Sequence, residues 1–83
     1  MNPSSNATHL SQQEAFERAR QSFLRGLEQL AQDRLQDAEQ SFLASLALVP
    51  GRISTLINLA AVRVKLAQPA DALEATQQVL DLE

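Results

Sequence analysis

Carboxylates and a single histidine are the side chains here that acid–base or metal chemistry would use. The ten Asp and Glu residues are spread along the chain. No pair of them is flanked by a histidine, a serine nucleophile or a glycine-rich loop. His9 has no companion at a spacing typical of metal ligands. We therefore expect no catalytic residues, no metal site and no cofactor, and the carboxylates most simply form helix caps and solvated faces.

The composition describes a small helical protein. Of its 83 residues, 45% are hydrophobic but only 4% aromatic, so Leu and Ala must supply most of the packing. Gly and Pro are few, while Ala, Leu, Gln, Glu and Arg favour helices. The absence of Cys excludes disulfides and thiolate chemistry.

Charge and hydropathy exclude two classes of partner. A net charge of −3 argues against nucleic acid, which needs clustered Lys and Arg. No apolar run approaches the roughly 20 residues that span a bilayer. Residues 1–10 are polar and aperiodic, so we expect a disordered tail and not a secretory signal. These features predict a cytoplasmic protein with no nucleic-acid or membrane partner.

Apolar periodicity and capping signals predict four helices. Ser11 and Glu14 are spaced as a capping box, Asp33 is a candidate cap for the second helix, and Pro69 suits a first helical position. The predicted bounds are about 11–31, 33–49, 53–66 and 69–82. The positions predicted to face inward are Phe16, Ala19, Phe23, Leu27 and Leu30; Leu35, Ala38, Phe42, Ser45, Leu46 and Val49; Leu56, Leu59, Ala60 and Val64; and Ala72, Leu73, Thr76, Val79 and Leu80.

An internal repeat organises these helices. The pair Asp37-Ala38 recurs 34 residues later as Asp71-Ala72, and each pair leads into an apolar helical run. A fixed period of this size is typical of helical repeat arrays, in which each unit buries its apolar face against its neighbours. Short connections make neighbouring helices antiparallel, so we expect two helical hairpins in tandem.

The residues at matching positions of the two units resemble the tetratricopeptide repeat family. Small residues would stand where helices cross, and Phe42 would fill the space where they splay. The matching residues are Gly26, Leu35, Ala38, Phe42, Ser45 and Pro50 in the first unit, and Leu56, Leu59, Ala60, Ala72, Val79 and Leu80 in the second.

This resemblance implies a fold and its limits. The expected fold is all-α: tandem antiparallel helical hairpins, four helices in all, forming part of a right-handed superhelix. The array would span 11–83, with repeat 1 at about 19–50 and repeat 2 at about 53–83. Two repeats are fewer than the three or so usually needed for independent stability, and the last helix is apolar on its outer side. We therefore expect a fragment of a longer repeat protein.

The resemblance also implies a binding surface, because in this family the first helix of each hairpin lines a concave groove. The version that grips a peptide carboxylate is not expected, since Phe23 and Leu27 stand where it uses Lys and Asn. A mostly apolar groove suits an amphipathic helix or an extended apolar peptide. The expected partner-binding residues are Arg20, Phe23, Leu24, Leu27, Ile57, Asn58, Ala61 and Lys65.

Alternatives stay open for individual residues of this surface. A helical turn or another chain could instead cover Phe23, Leu24 and Leu27. Asn58 is mildly unfavourable within a helix, which suggests a hydrogen bond to a partner backbone. It would equally fit a solvated side chain or one bonded to the neighbouring hairpin.

The expected function is a non-catalytic protein–protein interaction module that binds a peptide or partner segment in this groove. Two alternatives remain. The chain could be the N-terminal region of a larger enzyme with a glycosyltransferase- or methyltransferase-like catalytic domain. It could also be a homo-oligomerisation element that associates through its exposed C-terminal helix.

Overall fold

Four helices joined by short turns make up the molecule. The computed structural model describes residues 10–82, and those residues contain no strand. The expected all-α fold of antiparallel helical hairpins is confirmed. The expected tail lies outside the described residues, apart from Leu10, and so does His9. The helices are α1 Gln12–Ala31, α2 Leu35–Leu48, α3 Ile53–Lys65 and α4 Pro69–Leu82.

The capping box predicted for α1 is present. Ser11 Oγ accepts a hydrogen bond from the Glu14 amide at 3.1 Å, and the Ser11 amide donates to Glu14 Oε1 at 3.4 Å. Two of the amides that a helix start leaves without partners are thereby satisfied.

The two hairpins, α1–α2 and α3–α4, close with the same turn. In each, the residue after the C-cap is left-handed, with φ 61° at Asp33 and 59° at Ala67. The amides of this residue and of the one after it donate to carbonyls of the preceding helix in the Schellman pattern. The donor–acceptor pairs are Asp33–Leu30, Arg34–Gln29, Ala67–Val64 and Gln68–Arg63, at 2.8–3.0 Å. The turn geometry thus recurs at the 34-residue interval found in the sequence.

The prediction that Asp33 caps α2 is wrong. A capping side chain needs an extended backbone, and the left-handed φ of Asp33 excludes it. Arg34 is the N-cap residue and makes no side-chain cap hydrogen bond. It pairs instead with Asp37 in the first turn of α2, at 2.8 Å between Nη2 and Oδ2.

The first hairpin is held at a close approach between α1 and α2. A Cβ built on Gly26 would lie 2.5 Å from Phe42 Cε1, so the Phe42 ring occupies the space that any larger residue would need. Phe42 is fully buried, and its ring lies tilted against Phe23 with centroids 5.8 Å apart. Nearby, buried Ser45 Oγ donates to the Ala19 carbonyl at 2.8 Å. Phe42 therefore fills the position that the sequence predicts for it.

The core extends from this contact into the second hairpin. Each hairpin contributes small or apolar side chains to it, and α3 packs against both α1 and α2. Of the described helices, α4 contacts α3 alone. The core cluster consists of Ala38, Phe42, Leu59, Val62 and Ala75.

Several residues predicted to face inward are exposed instead: Phe16, Val64, Leu73, Thr76 and Leu80. Phe16 lies where α1, with 20 residues, extends past α2, with 14. The others lie on the sides of α3 and α4 that face away from the first hairpin. The prediction also left out Ser41, Thr55, Val62 and Ala75, which the structure buries.

A polar network ties the second hairpin to the first. Arg63 Nε donates to Glu39 Oε2 at 3.0 Å, and both side chains are only 14% exposed. With its amide turned to satisfy both partners, Gln68 donates to Glu39 and to Asp71, at 3.3 and 3.2 Å. Gln29, which precedes Arg63 by one repeat, instead accepts a hydrogen bond from Ser41 within its own hairpin. The equivalent residues therefore have different roles. Gln29 links the two helices of its own hairpin, whereas Arg63 links the second hairpin to the first.

The left-handed alanine predicts one stabilising change. A left-handed backbone costs a non-glycine residue about 1–2 kcal/mol. Glycine avoids this cost, but it loses more conformational entropy on folding, which offsets part of the gain. Ala67→Gly is therefore expected to raise the free energy of unfolding by about 1 kcal/mol in urea titrations. The matched control is Ala44→Gly at an exposed position inside α2, which should lower it by about 0.5–1 kcal/mol. A loss of stability in both variants would contradict the turn geometry.

The Gly26 contact predicts a loss of stability. Alanine is the better helix former, yet Gly26→Ala should lower the free energy of unfolding by about 1–3 kcal/mol because its Cβ clashes with the Phe42 ring. The loss should be smaller when Phe42→Leu removes the outer ring atoms. A double-mutant cycle measures this coupling, and equal losses in both backgrounds would show that the two residues do not touch.

Thr55 is a position where one substitution should raise the stability of the protein without changing the shape of the side chain. It is fully buried, and its Oγ1 has no hydrogen-bond partner among the described residues. Thr55→Val keeps the volume and removes the unsatisfied hydroxyl, so thermal unfolding should show a gain of about 1 kcal/mol. Thr55→Ala also removes the hydroxyl but loses the packing of a methyl group, so it should be about 1 kcal/mol less stable than Thr55→Val. Destabilisation by valine would indicate a hydrogen bond to Oγ1.

Candidate interaction surface

Helices α1 and α3 lie side by side and run in the same direction, since an antiparallel helix follows each. Four positions on α1, spaced four, three and four residues apart, share one face, and their equivalents on α3 lie 34 residues later. We call these eight residues the α1–α3 surface: Arg20, Leu24, Leu27 and Ala31 on α1, and Ser54, Asn58, Ala61 and Lys65 on α3. All of them are exposed except Leu27 and Asn58, which are partly buried.

Six of the eight residues expected to bind a partner lie on this surface: Arg20, Leu24, Leu27, Asn58, Ala61 and Lys65. Leu24 is the large apolar side chain exposed there, at 45%. Leu27 is partly buried because it also packs against the core cluster. The apolar part of the surface is therefore a strip along α1 that continues onto Ala61.

Phe23 and Ile57 lie one position round their helices from this strip. Phe23 packs against the core cluster, and the Arg52 guanidinium lies over its ring at 5.4 Å from the centroid. Its equivalent Ile57 is 54% exposed. Phe42 and Arg52 of the same chain therefore cover Phe23. The alternative that an extra helical turn or a second chain covers this residue is not needed.

Asn58 makes its hydrogen bond within its own helix. Its Nδ2 donates to the Ser54 carbonyl at 2.8 Å, which differs from each alternative that the sequence suggests. Its Oδ1 accepts no hydrogen bond from the described residues, and Asn58 is partly exposed. This oxygen can accept from the N–H of a bound segment.

An open cleft adjoins the Arg20 end of the α1–α3 surface, and the sequence did not indicate it. It forms where the overhanging start of α1 meets the turn between α2 and α3. Phe16 was assigned to the core side of α1, whereas Arg52 carries no periodic signal. The difference in helix lengths is the signal that could have placed Phe16 here. The cleft is lined by Phe16, Glu17, Arg20, Val49, Pro50, Gly51 and Arg52.

The charge of the surface and the cleft is opposite to that of the whole chain. Arg20, Arg52 and Lys65 are three of its seven basic residues, in a chain whose net charge is −3. Glu17 is the acidic residue that lines the cleft. Exposed cations beside an apolar strip favour a ligand that combines apolar and acidic side chains.

The described residues offer little for other chemistry. Within 10–82, no three His, Cys, Asp or Glu side chains are grouped so as to hold a metal ion. No helix in the same range is long and apolar enough to cross a bilayer. Comparisons with protein-family models, with curated proteins and with solved structures find no match to this chain. Function is therefore inferred from the geometry and charge of the described residues.

Proposed function

We propose that this chain is a non-catalytic protein-interaction module of the tetratricopeptide type, which binds a peptide or partner segment along the α1–α3 surface. One observation carries the proposal: an apolar strip of exposed Leu24 and partly buried Leu27 runs along α1, on a surface that also carries the cations Arg20 and Lys65. The repeated turn geometry and the contact between Gly26 and Phe42 support the repeat type. The module acts in the cytoplasm, in keeping with its acidic, cysteine-free composition.

The ligand that suits this surface is an amphipathic helix or an extended segment with apolar and acidic residues. Its apolar side chains cover Leu24, Leu27 and Ala61, which removes apolar area from water. Its carboxylates pair with Arg20 and Lys65; each exposed pair contributes up to about 1 kcal/mol, and the charges also orient the ligand and raise the association rate. A surface of two short helices is small, so a dissociation constant in roughly the micromolar range is expected.

A pair of designed peptides tests the proposal. Both carry the same leucines at helical spacing, and they differ in having Glu or Lys at every polar position. Titrated into isotope-labelled protein, the Leu/Glu peptide should shift amide resonances of α1 and α3. The Leu/Lys peptide should bind at least about tenfold more weakly, because it meets Arg20, Arg52 and Lys65 with like charge.

Two variants check the location. Leu24→Glu should abolish the shifts, whereas Leu73→Glu, a comparably exposed leucine on α4, should leave them unchanged. Arg20→Glu combined with Lys65→Glu should reverse the preference between the two peptides. The proposal fails if neither peptide shifts α1 and α3, or if Leu24→Glu binds as well as the unaltered chain.

A further inference from the structure

A second apolar surface lies at the far end of the molecule. Four large apolar side chains on the outer sides of α3 and α4 are between 54% and 67% exposed. We call this the end face, defined by Ile57, Val64, Leu73 and Leu80. It contains more large, exposed apolar side chains than the α1–α3 surface, and the proposed function does not use it.

The internal repeat shows what kind of face this is. One repeat earlier, the equivalents of the end-face residues are Phe23, Leu30, Glu39 and Leu46. Three of these pack against the core cluster, and Glu39 pairs with Arg63 of α3. The first hairpin therefore uses this face to receive a neighbouring helix. The second hairpin presents the same face to solvent, with leucine where Glu39 stood.

The opposite end of the molecule has different chemistry. The buried residues Leu56, Leu59 and Val62 of α3 have as their equivalents on α1 Ser22, Arg25 and Glu28. Head-to-tail stacking of two copies would place these polar groups against the apolar end face and desolvate the charges. A second apolar end face matches it far better.

We propose that two copies of this chain dock end face to end face as a closed two-fold dimer. Such an interface uses the same patch on both copies and stops at two, unlike a head-to-tail contact. This inference does not depend on the proposed peptide binding.

The size of the face sets the expected strength. Helix α4 has 14 residues and is about 21 Å long. Two such helices side by side present less than the roughly 800 Å² per partner of a standard interface. The dimer should be a reversible one, with a dissociation constant of roughly micromolar to submillimolar order.

Sedimentation equilibrium of the full 83-residue chain, from about 1 µM to about 1 mM, tests the dimer. A monomer–dimer equilibrium with no larger species is expected. Leu73→Glu and Leu80→Glu should each weaken it at least about tenfold, because both copies would bury a charge. Leu24→Glu, comparably exposed on the α1–α3 surface, should leave it unchanged. Circular dichroism confirms that each variant is helical.

The proposal is overturned if the chain stays monomeric at about 1 mM, or if it forms open-ended oligomers. It is also overturned if Leu73→Glu and Leu80→Glu dimerise as strongly as the unaltered chain.

Discussion

The close approach of α1 and α2 at Gly26 is the constraint on which the rest of the structure depends. Only a residue without a Cβ leaves room there for the Phe42 ring. With that ring buried, its apolar surface meets Phe23 on one side and joins Leu59 and Val62 in the core cluster on the other. One crossing thus fixes the first hairpin and the position of α3. It thereby places α3 beside α1, which creates the shared surface to which we assign binding.

Much of this fold could be predicted from local signals. Capping at Ser11, proline at 69 and the Pro50-Gly51 break mark helix ends that the structure reproduces within about two residues. Burial was harder to predict. Periodicity identifies the apolar side of a helix, but it does not say whether another element covers that side. Val64, Leu73 and Leu80 satisfy the pattern and are exposed, whereas Val62 and Ala75 are buried in the core cluster. The prediction that Asp33 caps α2 was wrong for another reason. Its backbone is left-handed, and the preference of Asp for capping positions does not reveal this.

The candidate site was predictable only in outline. The resemblance placed it on the first helix of each hairpin, and six of its eight residues share one surface. Arg52 and the cleft beside Arg20 come from the α2–α3 turn and from unequal helix lengths, which depend on how the hairpin closes. Phe23 shows the opposite case. A residue assigned to binding is partly committed to the core, and Arg52 of the α2–α3 turn covers its ring.

The single neighbour of α4 has a consequence for how the molecule opens. Among the described helices, α4 is held by α3 alone, whereas α3 is packed against α1, α2 and α4. Because the last helix has this single helical neighbour, it should be the first cooperative unit to open. Rigidity would then decrease from the amino-terminal hairpin toward the carboxyl-terminal helix. Such a gradient lets the far end of the chain rearrange, or exchange with a neighbour, while the surface between α1 and α3 keeps its shape.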